Sequence, residues 1–325
     1  MPTFEVGAIT KDEDATGVNN IKVGNYAGLK INGEIESLGK LTLGKESVAS
    51  VAGKVSGTDG NQTIQIGKNS KAVFADIDLK GGKNTINIGA GSDFEAEDID
   101  NVSKLSFGNG KQGASGSFVA TAIGGTDKND TVSFGNWNNI LVDYKIDLGD
   151  GKDTLKIGNN SIVDLALVDF GDGKDTLKIG KNSSLNVSEL KNLEVLNASK
   201  GAEIIFNNGD ADIVFDSAMT GSWKNAILMD EAGELQLGEN AVNVYSNEYD
   251  VFSFMAGKDG QLTLNSENTD VVFEYQLNDC DKWLIYDGGL KLAVGDELSV
   301  RVAVDFEDKK DKFAKVATTF EAILA

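Results

Sequence analysis

The residues best suited to chemistry in this chain are aspartates set among glycines. Residues 147–161 read DLGDGKDTLKIGNNS and residues 169–183 read DFGDGKDTLKIGKNS, an offset of 22. The first phrase carries Gly149, Asp150, Gly151 and Asp153; the second carries Gly171, Asp172, Gly173 and Asp175. Asp130 keeps the place of Asp153 in the upstream phrase KNDTVSFGNW (128–137). If Asp153 and Asp175 stack in register, their carboxylates stand roughly 5 Å apart, a repulsion on the order of 3 kcal/mol at an effective dielectric of 20. Like charges directly opposed across strands are destabilising, so something must neutralise them. Calcium suits a ligand set made of aspartate and glycine-turn carbonyl oxygens. The neighbouring Lys152 and Lys174, or solvation, are the alternative.

The elements that position these aspartates follow from a repeat. Copies of the phrase recur as NQTIQIGKNS (61–70) and KNTINIGAGS (83–92), with weaker ones at 40–47 and 104–110. Their anchor glycines are Gly44, Gly67, Gly89, Gly108, Gly135, Gly158 and Gly180, spaced by 23, 22, 19, 27, 23 and 22 residues. Apolar residues alternate with polar ones before each anchor, as in Ile64 and Ile66 or Leu155 and Ile157. That period of two marks a short strand with one face inward. A unit of about 22 residues is too short for a crossover helix but sufficient for one turn of a parallel β-solenoid. The predicted fold is therefore all-β: a parallel solenoid over 1–200, then degenerate coils or a β-rich cap over 201–306. Phe313, Val316, Phe320, Ile323 and Leu324 lie at helical spacing, which predicts a terminal amphipathic helix over 307–325. Serines three residues after several anchors (Ser47, Ser70, Ser92, Ser161, Ser183) predict an internal ladder that satisfies turn backbone groups.

The phrase GDGKDTL resembles the RTX, or haemolysin-type, calcium-binding nonapeptide G-G-x-G-x-D-x-U-x. Gly149, Gly151, Asp153 and Leu155 match its second, fourth, sixth and eighth positions, as do Gly171, Gly173, Asp175 and Leu177. The first glycine is replaced by Leu148 and Phe170, and one phrase occurs per coil where the family has two. Gln62 and Asn84 stand where Asp153 stands, and GDADIVF (209–215) is a looser echo. The resemblance, over about 124–183, implies a right-handed or RTX-like β-roll holding Ca²⁺ in a type I-secreted bacterial protein. The terminal FEAILA (320–325) is similar to the uncleaved export signals of that route.

Composition narrows the function. The net charge of −21 excludes nucleic acid as an expected partner, and no apolar run approaches membrane-spanning length. Histidine is absent, Arg301 is the sole arginine, and no nucleophile elbow or P-loop is present. Histidine-based triads and histidine-ligated zinc are therefore excluded, and the chain is not expected to be an enzyme. Cys280, flanked by Asp279 and Asp281, is a poor nucleophile. The expected function is that of an extracellular structural or adhesive protein whose partner is another copy of itself, in a filament or surface layer. The alternative is a carbohydrate-binding or carbohydrate-cleaving β-helix protein. Its glycan contacts would come from Trp223, Tyr245, Tyr249, Trp283 and Tyr286, although core packing suits most of these.

Overall fold

The computed structural model describes residues 3–11, 15, 19–207, 220–222, 226–245, 248–278, 280, 282–304 and 315–325. The chain divides into two compact units, residues 1–202 with 218–225 and residues 203–217 with 226–325.

The first unit is the parallel β-solenoid. Each regular coil contributes three short segments, and each segment pairs with its equivalents one coil away. Thr63–Ile66 sets Ile64 opposite Ile86 and Ile66 opposite Ile88 of Thr85–Ile88. Thr131–Phe134, Thr154–Ile157 and Thr176–Ile179 continue that column in register. A second column holds Lys71–Phe74 and the starts of Asp93–Asp100, Gly116–Gly124, Asn138–Asp147, Ile162–Asp169 and Ser184–Lys191. The later halves of the long strands form a third column, in which Ile77, Ile99, Ile123, Ile146, Val168 and Leu190 follow one another. The alternating apolar residues point inward as ladders. Ile64, Ile86, Leu105, Leu155 and Leu177 are fully buried. Phe74, Phe94, Phe118 and Phe134 stack through the middle, with ring centroids 5.7, 5.3 and 5.3 Å apart, a geometry that adds to the burial of each ring.

The anchor glycines are required by close approach. A Cβ on Gly67 would lie 2.2 Å from the Gly44 carbonyl oxygen of the preceding coil. Two residues later the backbone turns left-handed at Glu46, Asn69, Asn160 and Asn182, a conformation asparagine tolerates. The serines form the expected ladder. Ser47 N–H donates to Ser70 Oγ at 3.1 Å and Ser70 N–H to Ser92 Oγ at 3.1 Å. Ser161 N–H likewise donates to Ser183 Oγ at 3.2 Å. Each hydroxyl passes its proton back to an anchor-glycine carbonyl, as Ser92 does to Gly67 at 2.8 Å.

The second unit changes from parallel to antiparallel pairing. Ile227–Glu234 pairs in parallel with Glu203–Phe206 and with Glu248–Met255. Glu248–Met255 and Val271–Leu277 then flank Glu297–Val304 as antiparallel neighbours. A separate antiparallel sheet runs in the order Gly238–Tyr245, Lys315–Leu324, Gly260–Asn265, Leu290–Leu292. Phe252, Leu262, Phe273, Val300 and Phe320 form its core.

No helix occurs among the described residues, which corrects the expected terminal helix: Lys315–Leu324 is a strand. Phe320, Ala322 and Leu324 point into the core while Glu321 and Ile323 face out. The helical spacing counted Ile323, which is 42 % exposed, and passed over the small Ala322. Phe313 lies outside the described residues.

Candidate functional site: the acid column

In the solenoid register, the residues just before Lys40, Thr63, Thr85, Lys104, Thr131, Thr154, Thr176 and Val195 fall in one column. Those residues are Gly39, Gln62, Asn84, Ser103, Asp130, Asp153, Asp175 and Glu194. Gln62, Asn84, Asp130, Asp153 and Asp175 are at most 1 % exposed. A polar side chain buried so completely must find partners or its desolvation is uncompensated.

At four contacts along the column a side-chain oxygen has the same kind of partner, a backbone amide of the neighbouring coil. Asn84 Oδ1 accepts Gln62 N–H at 2.9 Å, Asp153 Oδ1 accepts Asp130 N–H at 2.7 Å, and Asp175 Oδ1 accepts Asp153 N–H at 2.6 Å. Glu194 Oε2 accepts Asp175 N–H at 2.7 Å. The column thus ties these coils together through a side-chain oxygen and a backbone amide, whereas Ser103 N–H donates to the Asn84 backbone carbonyl instead.

The other side differs. Asn84 Nδ2 sits among four carbonyl oxygens, those of Leu79 (3.2 Å), Lys80 (3.2 Å), Gly81 (3.0 Å) and Asn101 (2.8 Å). The turn before Asp153 is built alike: Gly149 and Gly151 are left-handed, as are Lys80 and Gly82 at the same distances before Asn84. Gly171 repeats this before Asp175. Asp153 and Asp175 therefore bring an oxygen, Oδ2, to the place an amide nitrogen holds at Asn84. Both Oδ2 atoms are buried and lack a hydrogen-bond partner. Asp130 escapes this conflict because its carboxylate accepts both the backbone N–H and the hydroxyl of Thr126.

Electrostatics follows the geometry. Burial pushes the Asp153 carboxyl up to about 7, against the one Asp130 N–H that favours its anion, and the charges of Asp130, Asp175 and Asp150 add to the rise. Burial also raises Asp175, against the Asp153 N–H that favours its anion, and the adjoining Glu194 carboxyl adds to the rise. Asp130 is raised by burial and restrained by Thr126.

The remaining sequence candidates lie nearby but do not converge. Asp150 and Asp172 are exposed, and the Asp172 carbonyl accepts Gly151 N–H at 2.8 Å. Gly151 stacks on Gly173 through a parallel bridge, so close that a Cβ on Gly173 would overlap the Gly151 carbonyl. Lys152 and Lys174 are exposed, and no ion pair joins them to Asp153 or Asp175 among the described residues. No group of three His, Cys, Asp or Glu that could hold a metal occurs among the described residues. At Asp153 and Asp175 Oδ1 already accepts an amide, and Oδ2 is left without a hydrogen-bond partner. The equivalent point beside Asn84 is lined by carbonyl oxygens. It fits a group that donates a hydrogen bond there, the amide of Asn84 or a carboxyl that keeps its proton.

Sequence reasoning missed Ser103, Glu194 and Thr126. The first two precede KLSF and VLNA as Asp153 precedes TLKI, so register rather than motif would have found them. The proposed aromatic surface is largely committed elsewhere. Tyr249 and Trp283 flank the Arg301 guanidinium at 4.2 and 4.6 Å, and Arg301 pairs with Glu274 at 2.6 Å. The Tyr286 hydroxyl accepts Leu264 and Gly289 N–H. Trp223 and the 209–215 echo lie outside the described residues. A different tyrosine, Tyr144, is 67 % exposed beside a groove of about 540 Å³ bordered by Asp100, Asn101, Asp127, Lys145 and Asp147.

These features define an all-β protein: a parallel β-solenoid unit and an antiparallel β unit. No family model matches the chain, and no curated protein matches it. A solved structure with local likeness is the Salmonella Typhimurium PliG, a periplasmic lysozyme inhibitor of g-type lysozyme. It has 12 % identity and a TM-score of 0.22, covering 27 % of this chain and 91 % of that one. A likeness of that size carries no functional weight.

Proposed function

We propose that this chain is an extracellular bacterial scaffold, a structural or adhesive protein that associates with itself rather than an enzyme. The observation that supports this is where its polar groups point. The serine and acid columns face neighbouring coils and join them, leaving the most perturbed carboxyls inside the stack instead of in a cleft where substrate could meet them. Catalytic carboxyls need access to a cavity as well as a shifted pKa. Electron micrographs of purified protein across a concentration series test the proposal. Concentration-dependent filaments or sheets are expected; a strictly monomeric protein at high concentration, with and without calcium, would overturn it.

Type I secretion enters only through the RTX resemblance of residues 124–183, and calcium dependence through that resemblance and the stacked aspartates. Phe320, Ala322 and Leu324 of the FEAILA segment lie in the core of the second unit. Substituting the exposed Glu321 and Ile323 therefore tests an export signal more cleanly than deleting the segment.

Glycan binding is a second function, favoured by Tyr144 standing exposed beside its polar groove. Sugars stack on exposed aromatic faces flanked by hydrogen-bonding groups. Loss of glycan-array binding in Tyr144→Ala is the expected result; an array with no binding to the native chain would remove this function.

A further inference from the structure

The first unit carries two stripes of opposite charge, each running along the stack of coils. On the first strand column, nine coils from Asn20 to Asn197 present eighteen outward positions. In a chain with 51 acidic and 30 basic residues, none of the eighteen is acidic and five are lysine. Lys40, Lys104, Lys156 and Lys178 are exposed and form no ion pair among the described residues. Lys156 and Lys178 lie directly opposed, an arrangement that costs stability when nothing answers it.

The third column is the reverse. Asp78 is in register with Asp100, and Asp147 with Asp169, with Gly124 standing between the two pairs and Lys191 following Asp169. Lys54 and Lys145 pair with Asp78 and Asp147, whereas Asp100 forms no ion pair among the described residues. Burial raises its carboxyl, and the charges of Asp78 and Asp98 raise it further.

We propose that the lysine stripe of one copy docks on the aspartate stripe of another, building an open-ended lateral assembly. This rests on the scaffold function proposed above and names the surface and the partner. Both columns share the coil rise of roughly 4.8 Å, so the opposed pair Lys156 and Lys178 of one copy has the same spacing as the pair Asp147 and Asp169 of another. The two patches differ, so the contact is heterologous and leaves a free patch on each side for the next copy. Opposed lysines at the coil spacing are best met by a partner with the same repeat.

Salt dependence is the signature. The charge of −21 on each copy keeps copies apart when screening is weak. Near 0.15 M salt the Debye length is about 8 Å, which screens that repulsion while sparing direct contacts; near 1 M it is about 3 Å and the contacts fail too. Assembly should therefore peak at intermediate salt, whereas apolar association strengthens steadily.

The test is sedimentation velocity on the full chain and two charge reversals, Lys104→Glu/Lys156→Glu/Lys178→Glu and Asp147→Lys/Asp169→Lys. The native chain is expected to sediment as large species near 0.15 M salt and as monomer near 1 M. Each reversal alone should weaken assembly roughly tenfold or more, and an equimolar mixture of the two should restore it. Circular dichroism confirms that each variant folds. Native assembly that neither reversal changes would overturn the docking surface while leaving the scaffold function standing. A native chain that never assembles would overturn both. Lysine-dependent binding to an anionic polysaccharide, without self-assembly, would replace the second copy as partner.

Discussion

The coil closed by Asn84 and the coils closed by Asp153 and Asp175 share a turn, a register and a buried hydrogen bond to the neighbouring coil. They differ by one atom. At Asn84 an amide nitrogen meets four carbonyl oxygens; at Asp153 and Asp175 a carboxyl oxygen takes that place with no partner. A solenoid position is thus defined less by residue type than by what the surrounding carbonyls require. An acid satisfies that requirement only in its neutral form.

Asn84→Asp should break this comparison most severely. It removes every donor from a filled carbonyl cluster, a loss of about 3 kcal/mol or more near pH 8. Chemical denaturation should show much of that loss recovered in mild acid. The converse pair, Asp153→Asn/Asp175→Asn, should gain about 1–2 kcal/mol near pH 8, because it keeps the Oδ1 acceptor and adds donors. A lower midpoint in that variant, together with a large calcium-induced rise in the native chain, would place a cation in the column.

The pH profile of the native chain sharpens the contrast. Asp153 titrates near 7 when folded and at about 3.9 when unfolded. The stability from its proton is therefore complete below about pH 4 and lost as pH rises through 7. Asp175 and Asp130, also raised, act in the same direction. The thermal midpoint should fall from mildly acidic to mildly alkaline pH, and much less in the double asparagine variant. The smallest effect is the control: Ser70→Ala and Ser161→Ala should each cost about 1 kcal/mol. Their equality would show that the two regions differ in the acid column alone.

Much of this was legible in the sequence. The period near 22, the inward alternation and the serine ladder all follow from neighbouring residues, and stacking simply repeats them. The equivalence of Gln62, Asn84 and Asp153 was also visible. What it meant was not, because the requirement at that point is set by carbonyls of Leu79–Gly81 and of Asn101 in the next coil. The spacings of 19 and 27 around Gly108 hid Ser103 from the column. The terminal strand was misread because its partner, Gly238–Tyr245, lies far away along the chain and leaves no local mark.

That separation has a consequence during synthesis. In the solenoid each new coil finds its partner about 22 residues back, so folding can proceed one turn at a time as the chain emerges. In the antiparallel sheet Lys315–Leu324 joins Gly238–Tyr245 and Gly260–Asn265, and its nearest paired residues, Asn265 and Glu321, are 56 positions apart. Its central strand, Lys315–Leu324, is also made after both strands that flank it. Most of the solenoid can thus form before the second unit has the strand its sheet is built around, and a ribosome stalled near residue 300 would carry a folded solenoid and an incomplete sheet.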